Sequence, residues 1–171
     1  MDRRGLEACG AGLDGSGVAP NPWGIMASII LRPAVESDVP RLAELNGHLG
    51  YAAVPELVLQ RLRRILASDL DCIRVAGFPD GRVAGWIHAQ LCQWLESEYR
   101  AEIGGLIVDG TMRRQGVGRT LVREVARWAK ARGAVELSVR CQIHRDDAHA
   151  FYATQGFALV KSQHVFRRRL D

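Results

Sequence analysis

The fold is decided by the stretch Ile103-Gly-Gly-Leu-Ile-Val-Asp-Gly-Thr-Met-Arg-Arg-Gln-Gly-Val-Gly118. Its apolar run ends at Val108 and is typical of a strand, while a pattern of helical period begins near Gly116. The helix is expected over about 116–132, with a buried face made of Val117, Leu121, Val125 and Trp128. The stretch therefore predicts a strand, a glycine-containing turn and a helix in direct succession.

This turn predicts a phosphate-binding site. Several backbone N–H groups at a helix start have no helical partner, and they point toward one spot. Glycine at 116 and 118 lets ligand oxygens approach the backbone, and positive charge is added by Arg113, Arg114 and Arg119. The spacing matches neither a phosphate loop ending in G-K-[ST] nor the dinucleotide motif G-x-G-x-x-G, which indicates a pyrophosphate of another kind.

The rest of the chain predicts a mixed α/β layer in the order βααβββαβαββ. Strands are expected at 28–32, 72–78, 82–94, 101–108, 135–140, 157–160 and 165–170. Helices are expected at 37–49, with Ser37 as N-cap, from Pro55 onward, at 116–132 and at 146–154. Pro79-Asp80-Gly81 predicts a hairpin turn. Residues 1–25 are glycine-rich without periodicity and are expected to form a flexible leader before one domain over 26–171.

Composition excludes several classes of protein. A chain of 171 residues with 47% hydrophobic and 25% charged residues fits neither a disordered chain nor a disulfide miniprotein. No apolar run is long enough to cross a membrane, and a net charge of 23 − 19 = +4 suits anionic ligands without demanding nucleic acid. The four cysteines are far apart in the sequence and form no C-x-x-C motif. At the N-terminus, Glu7 and Asp14 interrupt the apolar core that a secretion signal needs. We therefore expect a cytoplasmic protein with reduced thiols.

Two motifs resemble one known family. Arg113-x-x-Gly116-x-Gly118, after a strand that ends Leu106-Ile107-Val108, resembles the acyl-CoA signature [QR]-x-x-G-x-[GA] of the GNAT N-acetyltransferases. Residues 148–157 resemble the A-x-x-[LF]-Y-x-x-x-G-F segment of the same superfamily. The resemblance covers about 29–170 and implies a GNAT-like fold, in which a mostly antiparallel sheet is splayed between its fourth and fifth strands.

The resemblance also implies direct acetyl transfer from acetyl-CoA to an amine. The pantetheine arm is expected along the fourth strand, and a backbone N–H near Ile107 or Val108 would stabilise the oxyanion. Arg145 stands where the family often has asparagine, and it is expected near an anionic group of cofactor or substrate. The residues expected to bind the cofactor are Leu106, Ile107, Val108, Arg113, Arg114, Gln115, Gly116, Val117, Gly118, Arg119, Thr120 and Arg145.

Two residues are the catalytic candidates. Glu102 resembles the base glutamate of some family members, and a base is needed because the acceptor amine is an ammonium at neutral pH. An ordered water remains an alternative to Glu102, and so does a simple ion pair of this glutamate with an arginine. Tyr152 resembles the tyrosine that protonates the departing CoA thiolate, although packing between helix and sheet would also explain it. The other candidate bases are Glu96, Glu98 and His88.

The C-terminal stretch is similar to a branch with aminoalkylphosphonate and aminoglycoside N-acetyltransferases. This similarity implies a small soluble amine as acceptor. The walls of the acceptor site are expected at 46–51 and 94–99, because their acidic and aromatic side chains suit a cation. The alternative is that these residues are only solvated loops. Many relatives are dimers, and the edge at 165–170 is a possible contact. A catalytically silent acyl-CoA-binding module and a protein or peptide acetyltransferase remain alternative functions.

Three other readings of the sequence are weaker. The five histidines lack a convincing metal-ligand spacing, so no metal site is predicted. Cys141 and His144 suggest a thiol nucleophile, but a buried inert cysteine explains the same residues. Arg167-Arg168-Arg169 lies in a predicted strand, whose side chains alternate between faces, so no nucleic-acid surface is predicted.

Overall fold

Five strands form one mixed sheet in the computed structural model, which describes residues 29–48, 50 and 54–170. The strands lie in chain order, the first four antiparallel and the fifth parallel to the fourth. They are β1 (Ile30–Pro33), β2 (Asp71–Gly77), β3 (Val83–Cys92), β4 (Arg100–Val108) and β5 (Glu136–Val139). The mixed α/β class and the mostly antiparallel sheet are confirmed.

Four helices cover the two faces of this sheet. They are α1 (Val39–Gly47), α2 (Pro55–Leu66), α3 (Val117–Ala131) and α4 (Asp146–Thr154), and short 3-10 turns at Glu36–Asp38 and Gly110–Met112 precede α1 and α3. On one face, Leu121 and Val125 of α3 pack against Ile87 of β3. On the other face, Leu45 and Leu62 of α1 and α2 pack in a second buried cluster. The sheet is therefore buried on both sides.

The predicted N-cap at Ser37 is wrong, because Ser37 lies inside the 3-10 turn and α1 begins two residues later. Asp38 holds this corner instead. Its carboxylate accepts hydrogen bonds from the N–H of Val35 at 2.9 Å and from both terminal nitrogens of Arg32 at 2.7 Å. A carboxylate accepts hydrogen bonds from a guanidinium more strongly than a serine hydroxyl does. The turn is therefore stabilised by Asp38 and not by Ser37.

The hairpin between β2 and β3 is confirmed. Gly81 adopts a left-handed φ of 86°, and its N–H donates to the carbonyl of Phe78 at 3.0 Å. The N–H of Phe78 donates to the carbonyl of Arg82 at 2.9 Å and closes the turn. Glycine permits the positive φ that such a tight connection requires.

The fourth and fifth strands separate, as predicted. Their pairing ends with Ile103 opposite Val139, although β4 continues to Val108. The β3–β4 register also shifts at this level, between His88 and Ala89. Residues 105–108 therefore pair with β3 on one side, and their other edge has no strand partner within the described sheet.

The two closing strands predicted at 157–160 and 165–170 are not present. Residues 157–170 have no regular structure, and after the half-buried Phe157 their large apolar side chains are exposed, including Leu159 at 90%, Phe166 at 91% and Leu170 at 92%. A strand needs a hydrogen-bonded neighbour, and this segment has none within the described chain. The predicted leader lies outside the described residues, and within them no helix is both long and apolar enough to cross a membrane.

Candidate active site

The turn that leads into α3 has an unusual backbone. Arg114 and Gly116 both have left-handed conformations, with φ of 61° and 82°. A Cβ on Gly116 would meet no atom within 4 Å, so glycine is needed there for its φ. The first helical bond runs from the N–H of Thr120 to the carbonyl of Gly116 at 3.0 Å. The N–H groups between these two residues therefore lack helical partners and face outward.

Gly118 is required for a different reason. A Cβ at this position would lie 3.2 Å from the ring of Phe151 on α4, closer than nearly all real contacts of this kind. The absence of a side chain lets α4 approach the start of α3. Phe151 in turn lies edge-on to the ring of Tyr152, with centroids 5.1 Å apart. Gly118 thus brings the tyrosine candidate close to the predicted phosphate site.

Positive charge surrounds the start of α3. The side chains of Arg113, Arg114 and Arg119 are exposed, and none of them forms a salt bridge among the described residues, although Arg113 contributes to lowering the pKa of the Asp147 carboxyl. The positive end of the helix dipole adds to this field. Arg145 lies at the start of α4, where its guanidinium is 3.5 Å from Asp147. An anion at this turn would meet both free N–H groups and unpaired guanidinium groups.

The remaining predicted cofactor residues divide into two groups. Leu106 and Val108 pack partly buried toward α3, whereas Ile107 is buried toward α1 and α2. Val117 is buried and fixes the first turn of α3. Gln115 and Thr120 are exposed, and their side chains donate to the carbonyls of Thr111 and Gly116. The structure therefore gathers the turn and the open edge of β4 at one end of the sheet.

Tyr152 lies in an apolar surrounding. Its ring meets Phe151 and Phe157 edge-on, the latter at a centroid distance of 5.3 Å. Burial raises the pKa of Tyr152 to about 12. The phenol therefore stays protonated at neutral pH, which is the state a proton donor requires.

Glu102 forms an ion pair with Arg140. One terminal nitrogen of Arg140, in the segment after β5, lies 2.9 Å from Oε1 and 3.0 Å from Oε2 of Glu102. The glutamate side chain is 19% exposed and the arginine side chain 66%. The arginine pairing that the sequence left open is thus present, and the carboxylate lies at the level where β4 and β5 are about to separate.

Two of the three other candidate bases are exposed, and the third, His88, is half-buried. Glu96 and Glu98 are exposed in the loop after β3. His88 lies on β3 opposite Gly105, and its Nε2 is 2.7 Å from a carboxylate oxygen of Asp71 on β2. Sequence reasoning named His88 and missed Asp71, because only the antiparallel register brings the two residues together.

The weaker readings of the sequence gain no support. In the part of the chain that the structure describes, no group of three or more His, Cys, Asp or Glu residues could hold a metal ion. Burial raises the pKa of the Cys141 thiol, which disfavours the thiolate that a nucleophile needs. Arg167, Arg168 and Arg169 are exposed along the irregular C-terminal segment, not in a strand.

Comparison with known proteins identifies relatives of this chain. Residues 41–157 match the profile of the acetyltransferase (GNAT) family. An aminoglycoside N(6')-acetyltransferase type 1 from Klebsiella aerogenes is 29% identical over 101 residues, which are 57% of this chain and 66% of that protein. A protein of the same name from Stenotrophomonas maltophilia is 26% identical over 151 residues, which are 86% of this chain and 97% of that protein.

The fold has solved neighbours as well. The structure of AAC(6')-Iy with a bisubstrate analogue, CoA-S-monomethyl-acetylneamine, superposes with a TM-score of 0.73 at 19% identity and covers 83% of this chain and 99% of that one. The predicted GNAT-like fold is confirmed by this likeness. Because the family profile covers more than half of its length, the chain belongs to the acetyltransferase (GNAT) family and is an N-acetyltransferase that uses acetyl-CoA.

Proposed function

We propose that this enzyme acetylates a primary amine of a small, soluble, polycationic acceptor of the aminoglycoside class. The observation that carries the acetyl-CoA part of the proposal is the cluster of Arg113, Arg114 and Arg119 around the free N–H groups of α3, beside the open edge of β4. That arrangement suits a cofactor with a pyrophosphate at one end and an extended arm. The acceptor class comes from the names of the relatives, which are aminoglycoside N-acetyltransferases.

The cofactor is assigned to the turn and to β4. The pyrophosphate would meet the backbone N–H groups of 114–118 and the guanidinium groups of Arg113, Arg114 and Arg119. The arm would lie along the unpaired edge of Leu106, Ile107 and Val108, where β5 no longer pairs with β4. Gln115, Gly116, Val117, Gly118 and Thr120 would form the wall of this site, and Arg145 would approach an anionic group after release from Asp147.

The proton steps are assigned to Glu102 and Tyr152. The acceptor ammonium would compete with Arg140 for Glu102, lose a proton to this carboxylate and attack the thioester carbonyl as a neutral amine. A backbone N–H near Ile107 or Val108 would stabilise the oxyanion. As the C–S bond breaks, the phenol of Tyr152 would give its proton to the thiolate of CoA, and the phenolate would then take up the second proton that the attacking nitrogen loses as the amide forms.

The acceptor would lie against loops next to the sheet. Trp94 is 47% exposed and Leu95 is fully exposed, and Glu96 and Glu98 flank them with negative charge. A cation beside exposed acids and an aromatic face gains both charge and cation–π attraction. The other expected wall, 46–51, lies partly outside the described residues.

We propose in addition that the enzyme is a cytoplasmic homodimer. Residues 159–170 expose several apolar side chains, and β5 is an edge strand whose outer backbone groups lack a partner within the described sheet. A second copy of the chain offers the matching edge and would cover both the apolar side chains and the open edge of β5.

The cytoplasmic location is supported by the cysteines. Cys72, Cys92 and Cys141 are free thiols, which suits a reducing compartment.

The acceptor proposal is tested by release of free thiol from acetyl-CoA with a panel of amines. Neamine should give rapid release, whereas amino acids and a lysine-containing peptide should give little. Turnover with the peptide alone would favour a protein acetyltransferase. Binding of acetyl-CoA without turnover on any amine would favour a silent acyl-CoA-binding module.

The dimer is tested by light scattering on the full-length protein. Wild type should have twice the mass of the chain, and Phe166→Asp should shift the protein toward monomer because it places a charge among the exposed apolar side chains of 159–170. Ser162→Asp in the same segment serves as the control and should stay dimeric. A monomeric wild type would exclude the proposed assembly.

A further inference from the structure

Asp109 is the residue at which β4 ends and the turn toward α3 begins. It is 8% exposed, its N–H donates to the carbonyl of Ala84 at 2.8 Å, and its carbonyl accepts the N–H of Met112 at 2.9 Å. Oδ1 of its carboxylate accepts the N–H of Thr111 at 2.8 Å and the hydroxyl of Thr111 at 2.5 Å. Asp109 therefore fixes the first residues of the turn and ties them to β3.

The second oxygen of this carboxylate binds an arginine from α1. Nη2 of Arg41 lies 2.5 Å from Oδ2, and Nε of the same arginine donates to the carbonyl of Val83 at 3.1 Å. Both side chains are largely buried, at 23% and 12% exposed. Burial alone would raise the pKa of Asp109, but the hydrogen bonds from Thr111 and Arg41 outweigh it and lower that pKa. The pair thus joins α1, β3 and the turn through an ionised carboxylate.

The turn that follows needs such an anchor. Arg114 adopts a left-handed φ of 61°, a conformation that a residue with a side chain keeps only when its surroundings enforce it. On the helix side, the turn is held by Val117, whose side chain is 1% exposed and packs in the core. On the strand side, it is held by the contacts of Asp109. A turn held at both ends presents its N–H groups in one arrangement before a ligand arrives, which favours binding.

We propose that Arg41 and Asp109 are positioning residues for acetyl-CoA. The pair holds 113–116 in the conformation that receives the pyrophosphate, and it acts through the turn without touching the cofactor. The proposal rests on the cofactor assignment of the proposed function but not on the acceptor class, because it concerns binding of acetyl-CoA alone.

The test is the Kd of acetyl-CoA, measured by calorimetry on the full-length protein without an acceptor. Asp109→Asn and Arg41→Met should each weaken binding roughly tenfold, and the double variant should lose about as much as either single one because both changes remove one contact. Glu44→Gln is the matched control. Glu44 is 60% exposed and pairs with Nη1 of the same arginine at 2.6 Å without reaching the turn, so its loss should leave the Kd unchanged.

A second ligand separates positioning from general loosening of the fold. S-acetylpantetheine carries the thioester arm but no pyrophosphate, and its affinity, followed by ligand-observed NMR, should be the same in all variants. An unchanged Kd for acetyl-CoA in both single variants overturns the proposal, as does an equal loss for both ligands. If Asp109→Asn does not fold, Arg41→Met against Glu44→Gln decides the question alone, whatever amine proves to be the acceptor.

Discussion

At the scale of single residues, the glycines of the signature serve two separate purposes. Gly116 supplies a left-handed backbone in open space, whereas Gly118 makes room for the ring of Phe151. Sequence reasoning predicted that both positions must be glycine. It could not predict the second reason, because Phe151 belongs to another helix and its contact with Gly118 depends on the tertiary fold.

Gly118→Ala should therefore lower the free energy of unfolding more than the same substitution at Gly110. The new Cβ lies 3.2 Å from the Phe151 ring and forces it to shift, which should lower the free energy of unfolding by about 1 kcal/mol. The same shift should raise the Kd of acetyl-CoA. Gly110→Ala is the control, since a Cβ there meets nothing within 4 Å. Equal urea midpoints for the two variants would contradict this account of Gly118.

Tyr152→Phe tests the phenol in two ways. If the phenol protonates the CoA thiolate, kcat should fall about a hundredfold while the Kd of acetyl-CoA stays unchanged.

The raised pKa of Tyr152 also has a consequence for the stability of the fold. The phenol favours the folded state fully below pH 10, its ordinary value, and this contribution is lost as the pH rises toward about 12. Wild type should therefore lose more unfolding free energy than the variant over this range, and parallel curves would argue against a buried phenol.

At the scale of elements, local pattern predicted the strands and helices up to residue 154 and erred at two places. The cap of α1 was assigned to Ser37 because serine is a common cap, whereas the structure uses Asp38, which binds Arg32 from β1. The two closing strands are predicted from short apolar segments at 157–160 and 165–170. Local apolar pattern alone does not make a strand, since its backbone needs a hydrogen-bonded neighbour, and the described residues supply none here.

Asp38→Asn should loosen the corner between β1 and α1. Burial alone would raise the pKa of Asp38, but the bonds from Arg32 and the N–H of Val35 outweigh it and lower that pKa. Loss of the charge should cost about 2 kcal/mol of unfolding free energy at pH 7. The ionised carboxylate stabilises the fold fully above its unfolded pKa of about 4, and this contribution is lost as the pH falls through the lower folded pKa, so the difference from wild type should shrink below about pH 4. A difference that is constant from pH 7 to pH 3 in urea titrations would contradict the role of this charge.

At the scale of the whole molecule, two motifs in sequence predicted the family, the sheet and the region of the site. What they could not predict are the side-chain pairs that long-range contacts create. Glu102 with Arg140, His88 with Asp71, and Arg41 with Asp109 each join residues that are well separated in the sequence. Such pairs depend on strand register and helix packing, and those are properties of the folded chain.

The activity proposed for the whole enzyme is acetyl transfer from acetyl-CoA to a small cationic amine. The most direct measurement is the formation of N-acetylneamine from neamine and acetyl-CoA, followed by mass spectrometry together with the free thiol released. We expect one acetylated amine for each CoA released, at a rate that falls strongly in Glu102→Gln while acetyl-CoA still binds. Thiol release that is no faster with neamine than without it, in a protein that binds acetyl-CoA, would contradict the account.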